Sequence, residues 1–196
     1  MLKHQKNFGY HHFYFLFLAF PALMLLAGCQ SNVSAQNTNT PRNIILCIGD
    51  GMGLAQVHAS AIQYGIIHKQ ERPDLTGRLV FEDFPVIGYQ VSSAANQLVT
   101  DSAASGTALA CGSKTNNGML GQTPEGKALV PVSRDALQVS KAAGVLTSVT
   151  LDHATPAAFY ACVPSRANYD TIVEQAFQSG LTVLGGNLTS SKKYQG

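Results

Sequence analysis

Short apolar, β-rich runs alternate with helix-spaced segments along most of this chain. That alternation constrains the fold more than any other feature. Residues 43–48 (NIILCI) form an apolar run closed by Gly49 and predict a buried strand. Residues 54–64 have helical spacing, and residues 86–91 predict a second strand. Residues 102–111 are small and Ala-rich, with Gly112 as a stop signal. Asn116-Asn117-Gly118 marks a turn. Ser133 stands where it would cap a helix reaching Ala143, closed by Gly144, and residues 145–151 predict a strand. Asn168 stands where it would cap a helix to Ser179, closed by Gly180, before a further strand over residues 181–184. There is no internal repeat. Strand and helix in turn imply an α/β domain of three layers, α/β/α, around a largely parallel sheet. In such sheets functional groups gather at the carboxyl ends of the strands.

The amino terminus follows a different logic. Lys3 and Lys6 precede an almost wholly apolar run over residues 13–28, which ends at Leu26-Ala27-Gly28-Cys29. Charged region, apolar region, small residues and Cys resemble a bacterial lipoprotein signal whose cleavage leaves Cys29 as the lipidated first residue. The rival is an uncleaved anchor, but 16 residues with an internal Pro21 fall short of the roughly 20 needed to span a bilayer. Residues 1–28 are thus expected to be a signal peptide, and residues 29–41 a polar tether. A membrane-anchored place in the bacterial cell envelope follows. Asn187-Leu188-Thr189 fits a glycosylation sequon, which carries little weight beside a bacterial signal.

Removing that leader leaves 168 of the 196 residues. The formal charge of +2 belongs to Lys3 and Lys6, so the remainder is neutral, with 11 basic against 11 acidic residues. The only adjacent basic pair is Lys192-Lys193, which argues against a nucleic-acid partner. Four cysteines are too few for a disulfide scaffold. Cys47 and Cys111 fall in elements expected to be buried, where they would act as small apolar residues, and no obligatory disulfide is expected.

Three segments at strand ends carry chemistry. Gly49-Asp50-Gly51-Met52-Gly53 follows the first strand, and its glycines let a carboxylate project from the sheet edge, where it suits Mg²⁺ or Zn²⁺. Its spacing fails the dinucleotide pattern, and a capped turn is the plain alternative. In Val99-Thr100-Asp101-Ser102-Ala103-Ala104-Ser105-Gly106-Thr107, a serine opens a helix of small residues. A helix N-terminus favours bound phosphate, and a serine there attacks phosphorus once its hydroxyl pKa falls. Asp101 or Ser102 as an ordinary helix cap explains the segment equally well. Neither a G-x-S-x-G elbow nor a true P-loop is present. In Asp152-His153-Ala154-Thr155-Pro156, an acid, an imidazole and a hydroxyl precede a Pro expected at the first helical position, with Arg166 ten residues on. A guanidinium grips phosphate in a fork, although each of these residues has a structural explanation too.

In this order the segments resemble the alkaline phosphatase family. Residues 99–107 match all nine positions of its active-site pattern, and the likeness runs from about Arg42 to Gly186. The resemblance implies an N-terminal, incomplete part of that fold over residues 42–196. It implies Ser102 as a nucleophile that becomes phosphoserine, and Asp50 as the bridge between a magnesium and a zinc. Thr155, and more loosely His153, would be magnesium ligands. Arg166 would clamp phosphate, oriented by Asp101. The implied activity is hydrolysis of phosphate monoesters by two in-line displacements, with zinc and magnesium as cofactors. The full-length protein would be a homodimer.

Departures accompany the likeness. Family members are about twice this long or more, and their zinc ligands and a magnesium-binding Glu lie in a C-terminal half. After the leader only His58, His68 and His153 remain, and the chain beyond Gly186 stops looking like the family. A truncated or frameshifted frame is therefore expected, with little or no activity from this chain alone. The alternatives are a non-catalytic lipoprotein fragment that binds phosphate or a partner, and another hydrolase of the superfamily such as a phosphodiesterase. The motif of a sulfatase is absent.

Overall fold

In the computed structural model, residues 41–68, 77–187 and 189–194 are described. The chain divides into two compact units, Met1–Cys47 and Ile48–Gly196. The signal peptide, Cys29 and the tether as far as residue 40 lie outside the described residues. Of the first unit, residues 41–47 are exposed and carry no regular structure.

The second unit opens with α1 (Leu54–Ile67), three residues longer than expected. A short 3₁₀ turn, Val80–Asp83, follows. Next comes α2 (Ser102–Cys111), with the expected bounds. Gly112 ends it at φ 68, a left-handed cap that costs glycine nothing. Then come α3 (Val132–Gln138), β1 (Gly144–Thr150), α4 (Ala154–Ala157), α5 (Tyr169–Gln178) and β2 (Val183–Asn187), with a last 3₁₀ turn over Lys192–Tyr194. The two strands pair in parallel, with Gly144 opposite Val183 and Thr150 opposite Asn187, and the register shifts between Leu146 and Thr150. With α5 crossing between paired parallel strands, the α/β class is realised.

The core is built from small residues. Ala103, Ala110, Ala154, Ala157, Ala158 and Ala161 pack with Leu120, Val163 and Ile172. The reason is the close approach of α2 to α4. A Cβ on Gly106 would stand 3.0 Å from the Ala158 Cβ, so glycine sets how near the two helices lie. This contact brings the start of α2 beside the loop after β1.

Several expectations need correction. Residues 43–48 and 86–91 are not strands among the described residues, and most of their side chains are exposed. A strand persists only where a neighbour completes its ladder and covers a face, and neither segment has a paired neighbour among the described residues. Cys47 is consequently exposed, while Cys111 is only half-buried. Ser133 does not cap α3. Pro131 holds that position, and the Ser133 hydroxyl donates instead to the carbonyl of Phe159. The helix stops at Gln138 rather than Ala143, because the backbone turns left-handed at Ser140. Asn168 stands at the start of α5 without a capping side-chain bond. Pro156 occupies the third position of α4 rather than the first. Among the described residues no helix is long and apolar enough to cross a membrane.

Candidate active site

Asp101 is the N-cap of α2. Its extended backbone aims the carboxylate back over the helix start, where Oδ1 accepts from the Ala104 N–H at 2.9 Å. The choice between Asp101 and Ser102 as cap is thereby resolved. Ser102 is free of capping duty and becomes the first helical residue, at the positive end of α2. Its hydroxyl donates to Asp50, 2.9 Å from Oδ2 and 3.1 Å from Oδ1.

Asp50 reaches this point from the glycine turn that precedes α1, where Gly51 takes φ 70. Its Oδ2 also accepts from the Thr155 hydroxyl at 2.8 Å, so residues 50, 102 and 155 meet on one oxygen. Partial burial by itself would raise the Asp50 carboxyl. The hydrogen bonds from Thr155 and Ser102, with charge on His153 and Arg166, outweigh it and hold the group below its ordinary value.

Arg166 completes the cluster. Its Nη1 lies 3.2 Å from Asp101 Oδ2 as an ion pair, and its Nη2 lies 3.3 Å from His153 Nε2. Six residues singled out from the sequence thus fall into two adjoining sets, Ser102–Asp50–Thr155 and Asp101–Arg166–His153, joined where Asp101 and Ser102 are consecutive. Thr155 does not cap a helix. It lies inside α4, and His153 holds the N-cap position without a capping side-chain bond.

Asp152, named from sequence in the same segment, turns elsewhere. Fully buried, its Oδ2 accepts from Thr189 Oγ1 at 2.5 Å and from the N–H groups of Ser190 and Ser191 at 2.7 and 3.1 Å. Its work is to fasten the segment after β2. Sequence reasoning missed a different contributor, the turn at Asn117-Gly118. The Gly118 N–H donates to Asp101 Oδ2 at 3.0 Å, and its carbonyl accepts from the Arg166 N–H at 2.7 Å. The only sequence signal was the turn itself.

The donor chemistry bears on metals. The Asp50 carboxylate and the Thr155 hydroxyl put two hard oxygen donors side by side, which fits part of a magnesium shell. His153 makes its ring contact with Arg166 instead. Among the described residues no three His, Cys, Asp or Glu side chains converge, so these residues do not make a zinc centre.

A family model described as Alkaline phosphatase matches residues 41–194. The tissue-nonspecific alkaline phosphatase of Homo sapiens is 35% identical over 135 residues, which cover 64% of this chain and 25% of the human protein. Alkaline phosphatase 4 of Bacillus subtilis is 34% identical over 145 residues, covering 73% of this chain and 31% of that protein. Among solved structures, alkaline phosphatase from the Antarctic bacterium TAB5 superposes with a TM-score of 0.61 at 30% identity, over 70% of this chain and 37% of that one. A mutant of that enzyme, similar to this chain with a TM-score of 0.60 at 28% identity over 70% of this chain and 36% of its own, holds bound magnesium. The chain spans about a quarter to a third of the length of the curated relatives it matches.

Proposed function

Because this chain belongs to the alkaline phosphatase family, we propose that its site binds phosphate monoesters and hydrolyses them with Ser102 as nucleophile. The observation that carries this reading is the Ser102–Asp50 contact, which sets a hydroxyl against a carboxylate at the mouth of a helix N-terminus. Arg166 holds the phosphoryl oxygens, and its pairing with Asp101 fixes the plane of the guanidinium. The positive end of α2 adds attraction for the same oxygens.

The Ser102 oxygen then attacks phosphorus and the bond to the ester oxygen breaks; that oxygen leaves as the alcohol, taking up through solvent the proton that the serine gives up. Attack by water on the phosphoserine releases phosphate and restores the hydroxyl. Asp50 orients Ser102 in this scheme. A carboxylate held below its ordinary range is too weak a base to take the proton alone. A divalent ion at Asp50 and Thr155 would supply that acidification by lowering the hydroxyl pKa. Without three converging donors for zinc among the described residues, turnover by these residues alone is expected to be slow.

The test is hydrolysis of an aryl phosphate at alkaline pH with Mg²⁺ and Zn²⁺ added, together with acid-quenched phosphoprotein located by mass spectrometry. Label on Ser102, absent from Ser102→Ala with a rate loss of about 10⁴-fold or more, is the expected result. Label or turnover that survives Ser102→Ala rules out the nucleophile assignment. A second reading, phosphate binding without catalysis, is favoured by the Asp101–Arg166 pair, which is complete without any metal. It predicts phosphate affinity with no label in either protein.

The LAGC sequence supports a lipid anchor on Cys29 and a place in the bacterial envelope. Fatty-acid labelling in a bacterial host should mark the wild-type chain and leave Cys29→Ser unlabelled and outside the membrane fraction. Equal labelling of both would exclude the anchor.

A further inference from the structure

We propose that Asn117 is a positioning residue of this site, holding the Asp101–Arg166 pair in the geometry that grips phosphate. The inference rests on the phosphate-monoester reading above. A turn over residues 116–118 requires little from Asn117. The Met119 N–H donates to the Asn116 carbonyl at 3.1 Å, and Gly118 takes the left-handed conformation at φ 85, so many side chains would serve between them. The Asn117 amide nevertheless uses both its ends. Its Oδ1 accepts from the Asp101 N–H at 2.9 Å, and its Nδ2 donates to the Val99 carbonyl at 2.9 Å. The two partners lie two residues apart on the approach to α2, where Asp101 is extended. The amide therefore pairs with them as a neighbouring strand would, and the opposite flip would break both bonds. Asn117 is itself fixed by the Asn96 side chain, which accepts from its N–H at 3.0 Å.

The same turn reaches both members of the ion pair. The Gly118 N–H donates to Asp101 Oδ2, the oxygen that also meets Arg166 Nη1, and the Gly118 carbonyl accepts from the Arg166 N–H. Losing the Asn117 amide therefore loosens the Asp101 backbone, the carboxylate and the guanidinium together. Ser102 follows directly on Asp101, so the nucleophile shares the same support.

The experiment is calorimetric titration of the full chain with inorganic phosphate, with thermal unfolding recorded in parallel. The set is wild type, Asn117→Ala, Arg166→Ala and the double variant. Arg166→Ala should weaken phosphate binding about 100-fold, as loss of a charged fork does. Asn117→Ala should weaken it about tenfold, yet have less than about a twofold effect in the Arg166→Ala background, because coupled residues are not additive. Its effect on melting should persist in both backgrounds. A turn residue with only a structural role would lower the melting temperature and leave the affinity of the folded protein unchanged. Wild-type affinity in Asn117→Ala, or an equal loss in both backgrounds, overturns the proposal. If Asn117→Ala does not fold, Asn117→Asp keeps the size and the acceptor but loses the donor. A loss of phosphate affinity confined to the background that retains Arg166 is again expected, and its absence overturns the proposal. Failure of the underlying reading looks different: the wild type binds no phosphate, or Arg166→Ala binds it as the wild type does.

Discussion

Asp152 and Cys111 show how burial decides what a single residue does. Asp152 is fully buried and faces threonine hydroxyls and two backbone N–H groups. Burial would raise its carboxyl, but the bonds from Thr189, Thr150, Ser190 and Ser191 outweigh that and hold it below 3.8. A depressed carboxyl contributes stability above its unfolded pKa and loses it as pH falls through the folded one. Asp152→Asn should therefore cost about 2 kcal/mol at neutral pH in urea unfolding, the scale of charged hydrogen bonds. The difference should begin to shrink near 3.8 and vanish only below the depressed folded-state value, where both side chains are neutral. A constant difference across that range would show that the charge is not what matters. At Cys111, burial pushes the thiol up to about 11. Only about one molecule in a thousand is then a thiolate at pH 8, so alkylation should be slow there while exposed Cys47 reacts readily. Fast labelling of Cys111 in the native protein would contradict its placement.

At the scale of elements, the contact between α2 and α4 determines whether the site exists. Ser102 and Asp101 open α2, Thr155 lies in α4, and the helices meet where Gly106 faces Ala158. Gly106→Val would force them apart, and overpacking of this kind costs about 1–3 kcal/mol. The same variant should weaken phosphate binding, because the start of α2, which carries the Asp101 partner of Arg166, would be displaced. Unchanged stability and affinity would show that the close approach is dispensable. The bounds of α2 were legible in the sequence because a polar cap and a terminal glycine act locally. The ends of α3 were not, because Ser133 is drawn to the Phe159 carbonyl, a partner 26 residues away.

At the scale of the whole molecule, the apolar runs that read as strands are the informative failures. Val86 and Ile87 are 82% and 78% exposed. Their replacement by Lys should change the stability of this chain by no more than about 0.5 kcal/mol, as at other surface positions. It should also reduce self-association, since clustered exposed apolar side chains promote it. A loss above about 2 kcal/mol would mean that these side chains are buried after all. Periodicity reports which side chains need cover, but cover itself comes from elements distant in sequence. The sequence by itself determined the α/β class, the bounds of α2, and the residue types of the site, because these depend on local pattern and on chemistry carried by single side chains. Only the tertiary structure decided that Asp101 rather than Ser102 caps α2, and that Asp152 faces the segment after β2 rather than the site. It also brought the Asn117 side chain and the Gly118 N–H into hydrogen bonds with Asp101. Each of these turns on hydrogen bonds whose direction is set by segments brought together through packing, and no local spacing encodes that.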